Sequence, residues 1–192
     1  LSISNIALSP YNHIDEIKKL RDIGFLGLEV APSRIWRDSW YGLSADSIEL
    51  YRRQTEAAGL SIVGLHSLFY DRPELGIFST GDLRNQTLNY LVHLSKVCRD
   101  LGGVTLIYGG GRWRGNISKA MAFSIAGEFI SDLIERVASH GTVFCFEPLA
   151  SSDSDFINSA FESIDFVRKV NHRAFRVQLD AKALVANNEL KY

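Results

Sequence analysis

Cysteine, proline and charge of one sign are all scarce in this chain. Of its 192 residues two are cysteine and four are proline. Cys98 and Cys145 lie far apart and form no Cys-x-x-Cys pair, which argues against a zinc knuckle or a dithiol redox motif. Two buried, inert thiols in a reducing compartment are the expectation. No run approaches the roughly 18 consecutive apolar residues of a membrane span. The first residues also lack the basic stretch, long apolar core and cleavage site of a secretory leader. A cytoplasmic location without a membrane partner is therefore expected. The formal net charge is −1, so overall charge favours no nucleic-acid partner. No Gly-x-Gly-x-x-Gly follows the first apolar segment, which weakens a dinucleotide-binding reading.

What is present is ordinary globular composition, 46% hydrophobic and 22% charged, in a length that suits one domain over residues 1–192. The chain alternates short apolar runs with longer helical patterns. Leu1 to Leu8 alternates like an inner strand. Asn12 offers a cap for a helix carrying Ile14, Ile17, Leu20 and Ile23, with Gly24 as its stop. Phe25 to Val30 reads as the next strand. Ser44 caps a helix bearing Ile48, Tyr51, Thr55 and Ala58, closed by Gly59 before the strand Leu60–His66. Asp82 begins a helix with Leu83, Thr87, Leu91, Leu94, Cys98 and Leu101 on one face, ahead of the strand Val104–Tyr108. Ser118 caps the next helix, and Thr142–Glu147 is strand five. Ser159-Ala160-Phe161-Glu162 has the form of a capping box, and Phe175–Asp180 is strand six, followed by a helix running to Tyr192.

Strict alternation of strand and helix implies a parallel sheet covered by helices. Glu29, His66, Glu147 and Asp180 fall at or near the C-terminal ends of different strands, which is how barrel active sites are assembled. The expected fold class is α/β, a TIM-type (β/α) barrel with about six of its eight units and truncated at the C-terminus. The edges of the first and sixth strands would then lie open and invite homo-oligomers.

Glu147 and Asp180 end neighbouring strands, so their carboxylates should meet at the barrel mouth. Two ionised carboxylates side by side need a cation or a shared proton. Oxygen ligands suit Mg²⁺ or Mn²⁺, and an added histidine suits Zn²⁺, Mn²⁺ or Co²⁺. The alternative is that each caps the following helix or pairs with an arginine such as Arg176. His66 reads as a substrate hydrogen-bonder, a second metal ligand or a core histidine. Glu29 is a charge in an apolar strand, either used in a site or paired in a buried salt bridge. Arg34 and Trp36 could line a sugar pocket or pack a loop, and Lys182 could touch an anionic substrate or lie in solvent. Gly109-Gly110-Gly111-Arg112-Trp113-Arg114 could cradle an anion or form a flexible loop. His13, His93, His140 and His172 belong to the surface or to helix packing.

Leu1-Ser2-Ile3-Ser4-Asn5, Gly27-Leu28-Glu29-Val30-Ala31-Pro32, Leu65-His66-Ser67, Phe146-Glu147-Pro148 and Gln178-Leu179-Asp180 together resemble the xylose-isomerase-like barrel superfamily, along essentially the whole chain. Within it they look most like the sugar-phosphate isomerases and epimerases grouped with apurinic-site endonucleases. The resemblance implies one divalent metal held by Glu147, Asp180 and two further ligands from strands seven and eight. It implies a small sugar or sugar-phosphate substrate, and Glu147 as both ligand and acid/base in proton transfer beside a carbonyl through an enediolate. The endonuclease branch has a histidine where this chain has Gly109 and an Asp-x-x-His where it has Asp180-Ala181-Lys182-Ala183, which argues against a trinuclear zinc site. A metal-dependent hydrolase and a non-catalytic sugar- or partner-binding barrel are the alternatives.

Overall fold

The computed structural model describes residues 1–190. Six strands, β1 (Ser2–Ser4), β2 (Gly27–Val30), β3 (Ser61–Leu65), β4 (Thr105–Tyr108), β5 (Val143–Phe146) and β6 (Phe175–Val177), form one parallel sheet in chain order. Between and after them run α1 (Ile14–Asp22), α2 (Ala45–Ala57), α3 (Gly81–Asp100), α4 (Lys119–Val137), α5 (Ala160–Val170) and α6 (Ala181–Ala186). A doubly wound sheet reverses its strand order at a switch point. Here each strand pairs with the next in sequence without reversal, which is the winding of a barrel. The fold is an incomplete TIM-type barrel of six βα units. Among the described residues β1 and β6 do not pair with each other, so both are open edges.

Side chains alternate between two faces of the sheet. Leu28, Val30, Ile62, Leu106, Tyr108, Phe144, Phe146 and Phe175 face the helices, all at most 6% exposed. Ser4 pairs with Glu29, and Glu29 with Gly64, across a register shift that skips Val63. Gly64 must lack a side chain, because a Cβ there would lie 2.3 Å from the Thr105 carbonyl oxygen.

Helix starts follow the caps. The Ser44, Ser118 and Ser159 hydroxyls accept from the backbone N–H of Ser47, Met121 and Glu162 respectively. The box at Ser159 is only half formed: Glu162 reaches back to the N–H of Asn158 at 2.9 Å instead of Ser159. The cap of α1 is His13, not Asn12, and makes no side-chain capping bond. That imidazole is buried, with Nδ1 2.8 Å from the Ser9 carbonyl oxygen and Nε2 2.7 Å from the Tyr51 hydroxyl. Thr80, not Asp82, precedes α3. Strand one stops at Ser4 because Ser4 caps a 3-10 turn, Asn5–Ala7. Helix six ends at Ala186, and the expected end at Tyr192 lies outside the described residues. Ile23 and Leu83 leave the buried stripes, at 73% and 41% exposed.

The densest packing lies behind β5 and β6. The Phe166 ring of α5 meets Phe146 at 5.1 Å, Phe175 at 5.6 Å, Phe123 at 5.8 Å and Phe156 at 6.0 Å between centroids, mostly edge to face. Phe166→Ala is expected to cost about 3–5 kcal/mol, read as a lower urea midpoint with an unchanged m-value.

Candidate active site

Glu147 continues β5 by one residue, its N–H donating to the Tyr108 carbonyl at 3.1 Å. By alternation its side chain turns away from the helices, opposite to Phe146. Space for it comes from the neighbouring strand end. A Cβ on Gly109 would lie 2.6 Å from Glu147 Oε2, so no side chain fits at 109 while the carboxylate stays in place. Burial pushes the Glu147 carboxyl up to about 7, the Asp180 charge pushes the same way, Arg112 opposes both and Glu29 adds to the rise. Burial is the sole influence resolved on Glu29, raising its carboxyl with no basic partner to offset it. The structure therefore brings three carboxylates, Glu147, Asp180 and Glu29, into one electrostatic neighbourhood.

Asp180 caps α6, accepting from the N–H of Lys182 at 3.3 Å and of Ala183 at 3.0 Å. The capping alternative is thus realised for Asp180, although each oxygen keeps a further lone pair. Arg176 is not its partner. That guanidinium donates to the backbone carbonyls of His172 and Phe175. His66 Nε2 lies 2.6 Å from the Ser4 hydroxyl and Nδ1 lies 3.0 Å from that of Ser67. Burial lowers its pKa to about 4, so the ring is neutral at pH 7. Ser67 itself holds a φ of 52°, a conformation uncommon for serine.

Three other sequence candidates are engaged elsewhere. Arg34 Nη2 donates to the Leu8 carbonyl at 2.5 Å and ties the loop after β2 to the loop after β1. Trp36 packs edge-on against Tyr51 of α2 at 6.0 Å. Lys182 is 80% exposed and lies 3.5 Å from Asp153. The segment after β4 is tied down at Arg114. The Arg114 N–H donates to Asp155 at 2.7 Å, and its guanidinium donates to the Asp155 and Ile117 carbonyls at 2.9 and 2.6 Å. Arg112, which nothing in the spacing distinguishes from Arg114, is the basic group that acts on Glu147.

The residues present fit part of a divalent-metal shell. Two hard-oxygen donors repel one another in a site that raises the Glu147 carboxyl, and a cation would relieve that repulsion. Among the described residues no three His, Cys, Asp or Glu side chains converge as a metal site.

The family model described as xylose isomerase-like TIM barrel matches residues 17–191. The chain belongs to this family. No curated protein sequence matches it. Among solved structures, it is similar to D-psicose 3-epimerase from Clostridium cellulolyticum H10, at 20% identity and a TM-score of 0.80, over 99% of this chain and 66% of that one. It is also similar to 3-keto-D-glucoside 4-epimerase from E. coli, at 16% identity and a TM-score of 0.75, over 98% of this chain and 75% of that one. A third likeness is to the IolI protein with a bound zinc atom, at 13% identity and a TM-score of 0.75, over 95% of this chain and 63% of that one. The chain thus spans about two thirds of the D-psicose 3-epimerase chain. No helix among the described residues is long and apolar enough to cross a membrane.

The raised Glu147 carboxyl carries a stability consequence in metal-free buffer. Its folded value of about 7 exceeds the ordinary 4.5, so the folded state binds the proton more tightly. Stability is then greatest below about pH 4.5 for this group and falls as pH rises to about 7, by on the order of 2 kcal/mol after solvent screening. Glu147→Gln should flatten this slope between pH 5 and 8 in denaturant titrations with EDTA present. An unchanged slope would place the raised carboxyl elsewhere.

Proposed function

We propose that the chain is the main part of a metal-dependent isomerase or epimerase of a small ketose sugar or sugar phosphate. The observation that carries this reading is the convergence of two carboxylates: Glu147, one residue past β5, and Asp180, the cap of α6 just after β6, act on one another in a site that buries Glu147. Such a pair can hold a cation, and a carboxylate there is in place to take or return a proton. Family membership and the fold shared with two sugar epimerases support the same reading.

Glu147 and Asp180 would hold the cation, of the Mn²⁺, Mg²⁺, Co²⁺ or Zn²⁺ class. When bound, it supplies Lewis-acid polarisation of the substrate carbonyl. Glu147 would remove the proton next to that carbonyl, or return one, on its own face. Inversion would need a second acid/base on the opposite face, the role the resemblance gives to a carboxylate from strand eight. His66, neutral and engaged by the Ser4 and Ser67 hydroxyls, would bond a sugar hydroxyl by exchanging it for one of those two partners. Glu29 accepts from a hydroxyl deeper in the barrel. Gly109 and Asp180-Ala181-Lys182-Ala183 supply neither of the histidines that the hydrolase alternative would use, which favours the isomerase reading. The open edges of β1 and β6 make further barrel strands or a second copy the natural partners of this sheet.

The test is calorimetric titration of Mn²⁺ into the longest natural chain, beside Glu147→Gln and Asp180→Asn, followed by solvent-deuterium exchange into ketoses. Binding should be lost in both variants, and Glu147→Gln should lower exchange by about 10²–10⁴-fold. Mn²⁺ binding indifferent to both changes would overturn the metal site. Binding without exchange into any ketose would leave a sugar-binding barrel.

A further inference from the structure

Arg112 is 1% exposed, and its Nε, Nη1 and Nη2 all lack a hydrogen-bond partner. Its guanidinium carbon lies 4.6 Å from the centroid of the Phe146 ring. The Tyr108 ring stacks on the same phenylalanine at 5.6 Å and 21°, and its hydroxyl is likewise buried without a partner. A charged guanidinium withdrawn from water loses far more than one cation–π contact returns. Glu147 acts on Arg112 electrostatically but forms no ion pair with it, and burial still lowers the Arg112 pKa to about 10.

The unmet groups are all donors or, for the tyrosine, able to donate. A guanidinium is acceptor-free and forks onto oxyanions with two parallel bonds, so the missing partner is an acceptor-only group. Room for it exists alongside. A cavity of about 250 Å³ between the loops after β3 and β4 is lined by Gly76, Ser79, Gly111, Arg112 and Trp113, with the solvent-exposed Glu74 at its rim. The segment beside Gly111 is anchored by the Ile77 N–H, which donates to the Gly111 carbonyl at 2.8 Å, and by Leu75 and Ile77 in the core, 2% and 1% exposed. The Arg112 nitrogens do not open onto this cavity, so a ligand reaches them only when that segment shifts off Gly111.

We propose that Arg112 and Tyr108 form an oxyanion site of the phosphate class beneath the loop after β3, next to Glu147 and able to bind without metal. The phosphate is either free or carried by a sugar. The experiment is thermal unfolding and calorimetry of the longest natural chain in phosphate-free buffer with EDTA, titrated with inorganic phosphate, a ketose phosphate or the unphosphorylated ketose. Phosphate should raise the melting temperature of the wild type. Arg112→Met should abolish that response and melt higher than wild type without phosphate, because an uncompensated charge has gone. Tyr108→Phe should weaken phosphate binding several-fold.

A ketose phosphate bound at least tenfold tighter than inorganic phosphate would support a substrate phosphate, and equal affinities would support a free ion. The proposal is overturned if phosphate leaves the wild type unchanged, or if Arg112→Met responds like wild type. It is also overturned if Arg112→Met melts lower without phosphate, which would make Arg112 a structural residue. Should that variant not fold, Tyr108→Phe decides, and unchanged phosphate affinity in it overturns the site.

Discussion

The ring of Phe146 is the contact on which the candidate site rests. It is wholly buried, held by Phe166, Phe175 and Phe156 on the helix side and by Tyr108 from the neighbouring strand. Such edge-to-face packing fixes rotation as well as position. Because neighbouring side chains on a strand point to opposite faces, fixing Phe146 outward fixes Glu147 inward. The apolar layer therefore aims a carboxylate that it never touches. The same ring supports the Arg112 guanidinium, so one side chain supports both the acidic cluster and the buried cation near it.

Electrostatics then set the character of the mouth. Glu147, Asp180 and Glu29 stand near one another with little positive charge to balance them. Asp180 is partly neutralised by its capping bonds to α6, and Arg112 offsets part of the rise at Glu147. An arrangement of this kind is stable only with a proton, a cation or both, and acid/base work needs that ambiguity. His66 adds no charge to the mouth, and its two ring nitrogens are both occupied by serine hydroxyls.

Much of this was legible in the residues. Ser44, Ser118 and Ser159 mark helix starts because a hydroxyl next to an apolar stripe has one clear use, and all three caps form. The strand ends carrying Glu29, His66, Glu147 and Asp180 were visible as polar residues closing apolar runs. Less visible was what depends on tertiary contact. Asn12 had the right chemistry for a cap, but His13 took that place while its ring bonded Tyr51, 38 residues away. Arg34 and Trp36 could by position line a pocket or pack a loop, and the contacts they make with backbone carbonyls and Tyr51 depend on distant segments. Arg112 was indistinguishable from Arg114 until the fold buried one and gave the other Asp155. Local pattern reveals the donors and acceptors a segment carries, whereas long-range packing decides which of them are left without partners.

The contact between Gly109 and Glu147 has a consequence for how this family can diversify. A side chain at 109 would meet the tip of Glu147 first, so the carboxylate would have to turn before anything larger than glycine could sit at the end of β4. Where residue 147 points is thus tied to what position 109 carries, and the two positions should vary together.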